Sequence, residues 1–145
     1  MAEHALWALY QALFSKLNGA NSLWADRVFP DVAPAWADVG QGYVLFFWTG
    51  GGEDNTVVEE DARITLTIKV VSDSMEDAAK MAAALSSLLN DKGTQETSAP
   101  ALASQGGWEF TAITKGRAVH LVERFSEAVN IYHEGNSYEF IMGLA

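Results

Sequence analysis

Three groups of residues in this chain are of types that could carry chemistry: a glycine run, a cluster of acids and three histidines. The run TGGGEDN could cradle a phosphate, but a P-loop requires Lys and then Ser or Thr directly after its glycines. Glu53 and Asp54 stand there instead. Asp54, Glu59, Glu60 and Asp61 could bind Ca²⁺, but they lack the spacing of a calcium-binding loop. We therefore predict a flexible hairpin loop here, with no metal and no cofactor.

The three histidines, His4, His120 and His133, show no catalytic spacing, and the motifs H-E-x-x-H and G-x-S-x-G are both missing. His120 and Glu123 would point to opposite faces of a strand, which prevents them from acting as an acid and base pair. His133, beside Glu134, is predicted to lie at a solvated strand end. We expect this protein not to be an enzyme, although a small-molecule site assembled from distant residues stays open.

The amino-acid composition predicts interfaces with other protein chains. The 145 residues are 49% hydrophobic and include 5 Trp, 7 Phe and 4 Tyr, more rings than one small core has room to bury. Some apolar surface should therefore meet another chain. Core burial with scattered surface rings is an equally open interpretation. The length predicts one domain over residues 1–145.

Charge and residue usage exclude several classes of protein. A formal net charge of −10 repels phosphate and argues against a general nucleic-acid binder. The chain has no Cys, so disulfides and thiolate metal sites are excluded. Its apolar runs are far shorter than the roughly 20 residues that span a bilayer, and its first residues lack the basic region of a signal peptide. We expect a soluble protein, made in a cytoplasm, with no membrane partner.

Helical spacing of apolar residues predicts two helices. The first covers residues 3–17 and ends in a left-handed cap at Gly19. The second covers residues 75–90 and begins with a capping box formed by Asp73 and Glu76. Both are amphipathic, so we expect each to pack one face on a sheet.

Strand patterns fill most of the remaining chain. YVLFFW, residues 43–48, is apolar on both sides, which predicts a strand with both faces covered. ARITLTIKVV, residues 62–71, alternates and should bury one face only. Four short strands follow: WEFTAIT, AVHLVE, VNIYH and SYEFIMGL. The predicted fold class is α+β, a mostly antiparallel β-sheet with two α-helices packed on one face.

The segment ADRVFPDVAPAW, residues 25–36, is predicted to be an extended connector. Pro30 and Pro34 fix their own φ angles and disfavour helix at the residue before each, so the segment is neither helix nor central strand. Arg27 could form a weak surface pair with Asp26. It could equally bind a carboxylate of its own or of a neighbouring subunit, and both interpretations stay open.

Several segments give the chain a resemblance to a known family. ALWALYQALF, DRVFPDVAP, KVVSDSMEDAAKMAAALSSLL and ITKGRAVHLVE resemble the tail-terminator or tail-completion proteins of long-tailed phages, a minor-tail family. The matching positions include Arg27, Phe29 and Pro30, and the resemblance covers most of the chain. A head-closure or neck adaptor of a phage or gene-transfer particle, and an adaptor of a bacterial secretion apparatus, stay open as neighbouring roles.

The resemblance implies a structural virion protein of the tail or neck that is assembled in the host cytoplasm. It implies a homo-oligomeric ring, usually hexameric, that caps the tail tube, stops its polymerisation and joins the tail to the head connector. The implied partners are further copies of the chain, the tail tube protein and a head-completion or stopper protein. DNA would pass through the lumen without specific binding.

The residues predicted to lie at an interface with another subunit or partner are surplus aromatics and charged residues of loops or connectors. Trp7 and Phe14 form a second stripe on the first helix, so its apolar arc is wider than one core-facing side requires. Phe29 is expected to be anchored in the core by the proline-restricted connector. The eight candidates are Trp7, Phe14, Arg27, Phe29, Phe47, Trp48, Glu53 and Asp54.

Overall fold

The computed structural model describes residues 4–55, 60–89 and 102–144. Its helices and strands are, in chain order, α1 (Ala5–Leu17), β1 (Val28–Pro30), β2 (Tyr43–Asn55), β3 (Glu60–Ser72), α2 (Met75–Leu89), β4 (Trp108–Arg124) and β5 (Asn130–Leu144). The strands form one sheet in the order β1-β2-β3-β5-β4. The pair β1 and β2 is parallel and the other pairs are antiparallel. The predicted α+β class is confirmed.

The core lies between the two helices and one face of the sheet. On β3 the residues Ile64, Leu66, Ile68 and Val70 are fully buried, as the alternation of this segment predicts. Helix α1 packs against β1 and β2, and α2 packs against β3 and β5. Both helices belong to the same cluster of buried side chains, so they cover the same face of the sheet.

The helix ends differ slightly from the sequence prediction. Gly19 adopts φ 74°, as predicted for the residue that terminates α1. At the start of α2, the backbone N–H of Asp77 donates to the hydroxyl of Ser74 at 3.3 Å. Ser74 is therefore the N-cap, and the capping box predicted at Asp73 and Glu76 is wrong by one residue. No helix in the described part of the chain is long and apolar enough to cross a membrane.

Strand β2 continues well beyond the predicted segment YVLFFW. Residues 50–55, predicted as part of a flexible loop, pair with residues 60–65 of β3. Gly51 permits this with φ +80°, because a Cβ there would lie 2.0 Å from the carbonyl oxygen of Arg63. A bulge between Trp48 and Gly50 adjusts the register. The loop prediction is wrong for 50–55, and 56–59 lie outside the described residues.

Only one face of β2 is buried in the core. Val44 and Phe46 are completely buried, whereas Leu45 and Phe47 on the opposite face are half-buried. Trp48 follows on the same face as Phe46 but is exposed. The prediction that both faces of this segment are covered is therefore wrong within the chain. Neither helix covers the face that carries Leu45 and Phe47, because both helices pack on the opposite face of the sheet.

The C-terminal part contains two long strands instead of the four predicted short ones. The break predicted at Lys115 and Gly116 is a bulge within β4. The break predicted at EGNS lies inside β5, which pairs with β3 on one side and β4 on the other. Pairing on both sides outweighs the local turn preference of Gly, Asn and Ser. Much of the loop predicted between α2 and β4 lies outside the described residues.

Candidate assembly surfaces

An aromatic groove runs between α1 and the edge of β2. Its volume is about 450 Å³, and Trp7 and Trp48 form its rim with 56% and 51% of their surface exposed. Residues from α1, β2 and the segment after β1 line it: His4, Leu6, Trp7, Tyr10, Asp31, Phe47 and Trp48. Three of the predicted interface residues, Trp7, Phe47 and Trp48, are therefore brought together in one concave apolar surface.

The hydroxyl of Tyr10 fixes the shape of this aromatic groove. It donates to Asp31 Oδ1 at 2.5 Å and accepts from the backbone N–H of Trp48 at 3.0 Å. The ring packs edge-on against Phe46 with 5.1 Å between centroids. Burial, aided by the Asp31 carboxylate, raises the pKa of Tyr10 to about 12, so the hydroxyl keeps its proton. One side chain thus connects α1, β2 and the segment after β1.

The other predicted interface residues lie elsewhere. Phe14, 38% exposed, is about two turns further along α1 than Trp7. Phe29 packs edge-on against Trp36 and Tyr43, with 5.4 and 5.6 Å between centroids, and it is half-buried rather than anchored in the core. Glu53 and Asp54 are paired in β2 with β3, and their side chains lie outside the described residues.

Arg27 holds the connector closed through backbone carbonyls. Its Nε donates to the carbonyl of Gly42 at 2.7 Å, and its Nη2 donates to those of Leu23 at 2.9 Å and Gln41 at 3.2 Å. Within the described residues its guanidinium pairs with neither Asp26 nor another carboxylate. The predicted pair with Asp26 and the predicted bond to a carboxylate of the same chain are therefore both wrong within the described residues. Arg27 instead joins the two ends of the connector by hydrogen bonds, and a bond to a neighbouring subunit stays a prediction.

The hairpin tip, residues 124–129 between β4 and β5, is a second apolar surface that sequence reasoning missed. Phe125 is 76% exposed, and Leu121 and Val122 just before it are also exposed. The backbone N–H groups of Phe125 and Ser126 both donate to the carbonyl of Val129, at 3.0 and 3.1 Å. A single Phe inside the polar turn sequence RFSEA is the signal that could have identified this surface.

Two His–Glu pairs join β4 to β5 behind the hairpin tip. His133 Nε2 contacts the carboxylate of Glu123, and His120 Nδ1 contacts that of Glu134. His133 is only 8% exposed, so its predicted place at a solvated strand end is wrong. It lies inside β5 between β3 and β4. The spacing of His120 and Glu123 within one strand could not predict these pairs, because each histidine has its glutamate partner on the neighbouring strand.

Burial lowers the pKa of His133, and the positive charge of Lys69 lowers it further against the opposing effect of Glu123. The imidazole is therefore neutral at pH 7, with its Nε2–H donating to Glu123. Its Nδ1 is buried and has no hydrogen-bond partner among the described residues. A second proton on the ring would have to sit on this Nδ1, where no acceptor in the described part of the chain receives it.

A cleft between α2 and β4 contains polar side chains of types that could carry chemistry. Its lining includes Ser86, Lys115, His120 and Glu134, and its volume is about 520 Å³. Lys115 Nζ donates to the hydroxyl of Ser86 at 2.9 Å, whereas a nucleophilic serine needs a partner that accepts its proton. No group of three or more metal-binding side chains occurs in residues 4–55, 60–89 and 102–144.

The fold is similar to that of a solved chain from the virion of a native gene transfer agent particle. The two share 21% sequence identity with a TM-score of 0.68, over 95% of this chain and 97% of that chain. A second solved chain has a TM-score of 0.55 at 14% identity, over 97% of both chains. No protein-family model and no curated protein matches the sequence. At these identities the likeness shows a shared fold.

Proposed function

We propose that this chain is a structural protein of a phage-like virion. The observation that carries the proposal is the similarity of fold, from end to end, to a chain of a gene transfer agent virion. The net charge of −10 supports it, because a particle that transfers DNA needs surfaces past which DNA moves without adhering. The exposed aromatic groove and hairpin tip support assembly with other chains.

Within the virion, we assign the chain to the tail terminator. Copies of it form a ring, usually of six, on the last ring of the tail tube. This ring stops the polymerisation of the tube protein and presents its other side to a head-completion or stopper protein. The arrangement is supported by two different apolar surfaces, the aromatic groove beside β2 and the hairpin tip at the end of β4 and β5, because repeated contacts between unlike surfaces form a ring where the rotation closes.

A second candidate is a head-closure or neck adaptor of a gene-transfer particle. The observation that favours it is that the structural neighbour belongs to such a particle. The two candidates share a ring but predict different particles when the protein is missing. A terminator limits tube growth, whereas a neck adaptor only joins finished parts.

Deletion of the gene from the strain that produces the particle separates these candidates. Electron microscopy should show tubes that exceed the normal tail length, and expression of the chain from a plasmid should restore that length. Tails of normal length that lack heads would assign the chain to the neck adaptor. Normal, complete particles from the deletion strain would contradict both candidates.

A further inference from the structure

We propose that the hairpin tip of one subunit binds in the aromatic groove of the next, with Phe125 filling the groove and Arg124 paired with Asp31. This inference rests on the proposed ring, and it specifies the contact that closes it. The occupant of the groove is thus a second copy of this chain. The two surfaces lie on one chain, and their shapes and charges are complementary.

The hairpin tip has the properties of an inserted side. Phe125 exposes 76% of its surface at the far end of a two-stranded hairpin, where it contributes nothing to the core. The carbonyl of Val129 accepts two backbone N–H groups and closes the turn. Because the turn is held in one conformation, little entropy is lost when it binds.

The aromatic groove has the properties of a receiving side. Apolar side chains of α1 and β2 form it, and its volume of about 450 Å³ exceeds that of one phenylalanine ring. Tyr10 bonds to both Asp31 and Trp48, so the walls are fixed before a partner arrives. Aromatic residues in fixed pockets are the usual centres of binding energy at protein interfaces.

The charges beside the two apolar parts are opposite. Arg124 precedes Phe125 directly and is exposed, and the exposed Asp31 lies at the groove. Asp31 Oδ1 accepts the hydroxyl of Tyr10, and the second carboxylate oxygen can receive a guanidinium N–H. Subunits that each carry a charge of −10 repel one another, so a contact that places a cation on a carboxylate selects this orientation.

The topology makes this contact suitable for a ring. β4, which leads to the hairpin tip, is one edge of the sheet, whereas β1 and β2 lie at the other edge beside the groove. Each subunit then offers one tip and receives one. Such contacts between unlike surfaces continue from one subunit to the next, and they form a ring where the rotation between subunits closes.

Disulfide capture tests the contact directly, because the chain has no cysteine of its own. The variants Ser126→Cys, which keeps Phe125, and Leu6→Cys are mixed under conditions in which the wild type assembles, and then oxidised. We expect a disulfide-linked pair only in the mixture, and a ladder of linked subunits from the double variant. Glu76→Cys, at the exposed start of α2, replaces Leu6→Cys in the control and should give no linked pair with Ser126→Cys.

A charge reversal gives a second readout. Arg124→Glu should raise the concentration needed for half-assembly by roughly tenfold, because the substitution removes the attraction to Asp31 and also places a second carboxylate beside it. Arg117→Glu changes the net charge equally at another exposed position of β4 and should have a much smaller effect. Phe125→Ser should weaken assembly as well, and its circular dichroism should match the wild type because Phe125 is outside the core.

The outcomes separate this inference from the proposed function. Rings that form equally well with Arg124→Glu and Phe125→Ser, and give no disulfide, would overturn the inference and leave the proposed ring intact. Two further capture experiments test other occupants of the groove: Leu6→Cys is oxidised with a cysteine-bearing tube protein, or a second cysteine is placed within residues 90–101 of the same chain. A disulfide in either experiment would assign the groove to that occupant and overturn the inference. A wild-type chain that never assembles, alone or on tail tubes, would overturn both.

Discussion

At the scale of single residues, Tyr10 decides how firmly the aromatic groove is held. Its hydroxyl is the shared partner of a carboxylate in the segment after β1 and of a backbone N–H on β2. Neither of these groups belongs to α1, so the three parts are connected through one oxygen atom. The hydroxyl should therefore contribute more to the stability of the fold than its single hydrogen bond to the Asp31 carboxylate would.

Tyr10→Phe should therefore lower the free energy of unfolding by about 1–3 kcal/mol, because Asp31 loses its donor and the N–H of Trp48 loses its acceptor. Urea unfolding followed by tryptophan fluorescence measures the change. Tyr132→Phe is the matched control, since the Tyr132 hydroxyl makes no hydrogen bond within the described residues, and it should cost under about 0.5 kcal/mol. Equal effects of the two substitutions would contradict this role of Tyr10.

His133 should make stability depend on pH. Burial and the positive charge of Lys69 lower the pKa of His133 below 6.5 in the folded protein, although the neighbouring Glu123 opposes this shift. The unfolded chain therefore binds a proton first as the pH falls, and stability is lost from about pH 6.5 downward. The loss from this one group is limited to about 1.4 kcal/mol per pH unit.

Unfolding free energies measured between about pH 7.5 and 5.5 test this dependence. The wild type should lose more stability over this range than His133→Gln, in which the titrating ring is missing. His120→Gln is the control, since His120 is more exposed and pairs with a different carboxylate. A loss of equal size in the wild type and His133→Gln would show that protonation of His133 is not the cause.

At the scale of elements, the glycine run in β2 is required for pairing rather than for flexibility. Gly51→Ala should destabilise the protein by about 1–3 kcal/mol, because Gly51 has φ +80° and its Cβ would collide with the carbonyl of Arg63. Gly50→Ala is an adjacent control, because among the described residues no atom beyond Gly50 and its two chain neighbours lies within 4 Å of a Cβ at this position. Thermal unfolding of both variants provides the measurement. Equal melting temperatures would mean that the strand ends before Gly51.

The elements that could be predicted from the sequence are those whose pattern is local. The helical spacing in α1 and α2 and the alternation from Ile64 to Val70 required no knowledge of distant residues, and the structure contains all three elements. The extent of β2, β4 and β5 could not be predicted, because their turn-like sequences are held extended by strands far away in the chain.

The candidate site was predictable in part for the same reason. The surplus of aromatic residues indicated Trp7, Phe47 and Trp48, which the fold gathers into one groove. Composition does not indicate which rings lie together in the fold. Phe14 and Phe29, which lie outside the groove, could therefore not be distinguished from the three residues that line it. The pairing of His133 with Glu123 depends on the register between β4 and β5, which no spacing within one strand indicates.

At the scale of the whole molecule, assembly should be promoted by salt. A charge of −10 on every subunit opposes association at low ionic strength, and the screening length falls from about 10 Å at 0.1 M to about 3 Å at 1 M. Salt would also weaken the proposed pair between Arg124 and Asp31, but one pair at a surface contributes only about 0–1 kcal/mol. The mass measured by light scattering should therefore rise with salt, and a constant or falling mass would contradict this balance.

The position of β5 in the sheet also determines when a subunit can become functional during its synthesis. β5 lies between β3 and β4, and it pairs Gly143 with Asp61 and Tyr132 with Ser72. A ribosome has therefore produced both helices and β1 to β4 before the strand that completes the sheet emerges. Until then β3 has an unpaired edge that can bind other nascent chains, and the hairpin tip has only one of its two strands. A chain interrupted before β5 thus lacks the tip, so truncated products could not make the proposed contact with a neighbouring subunit.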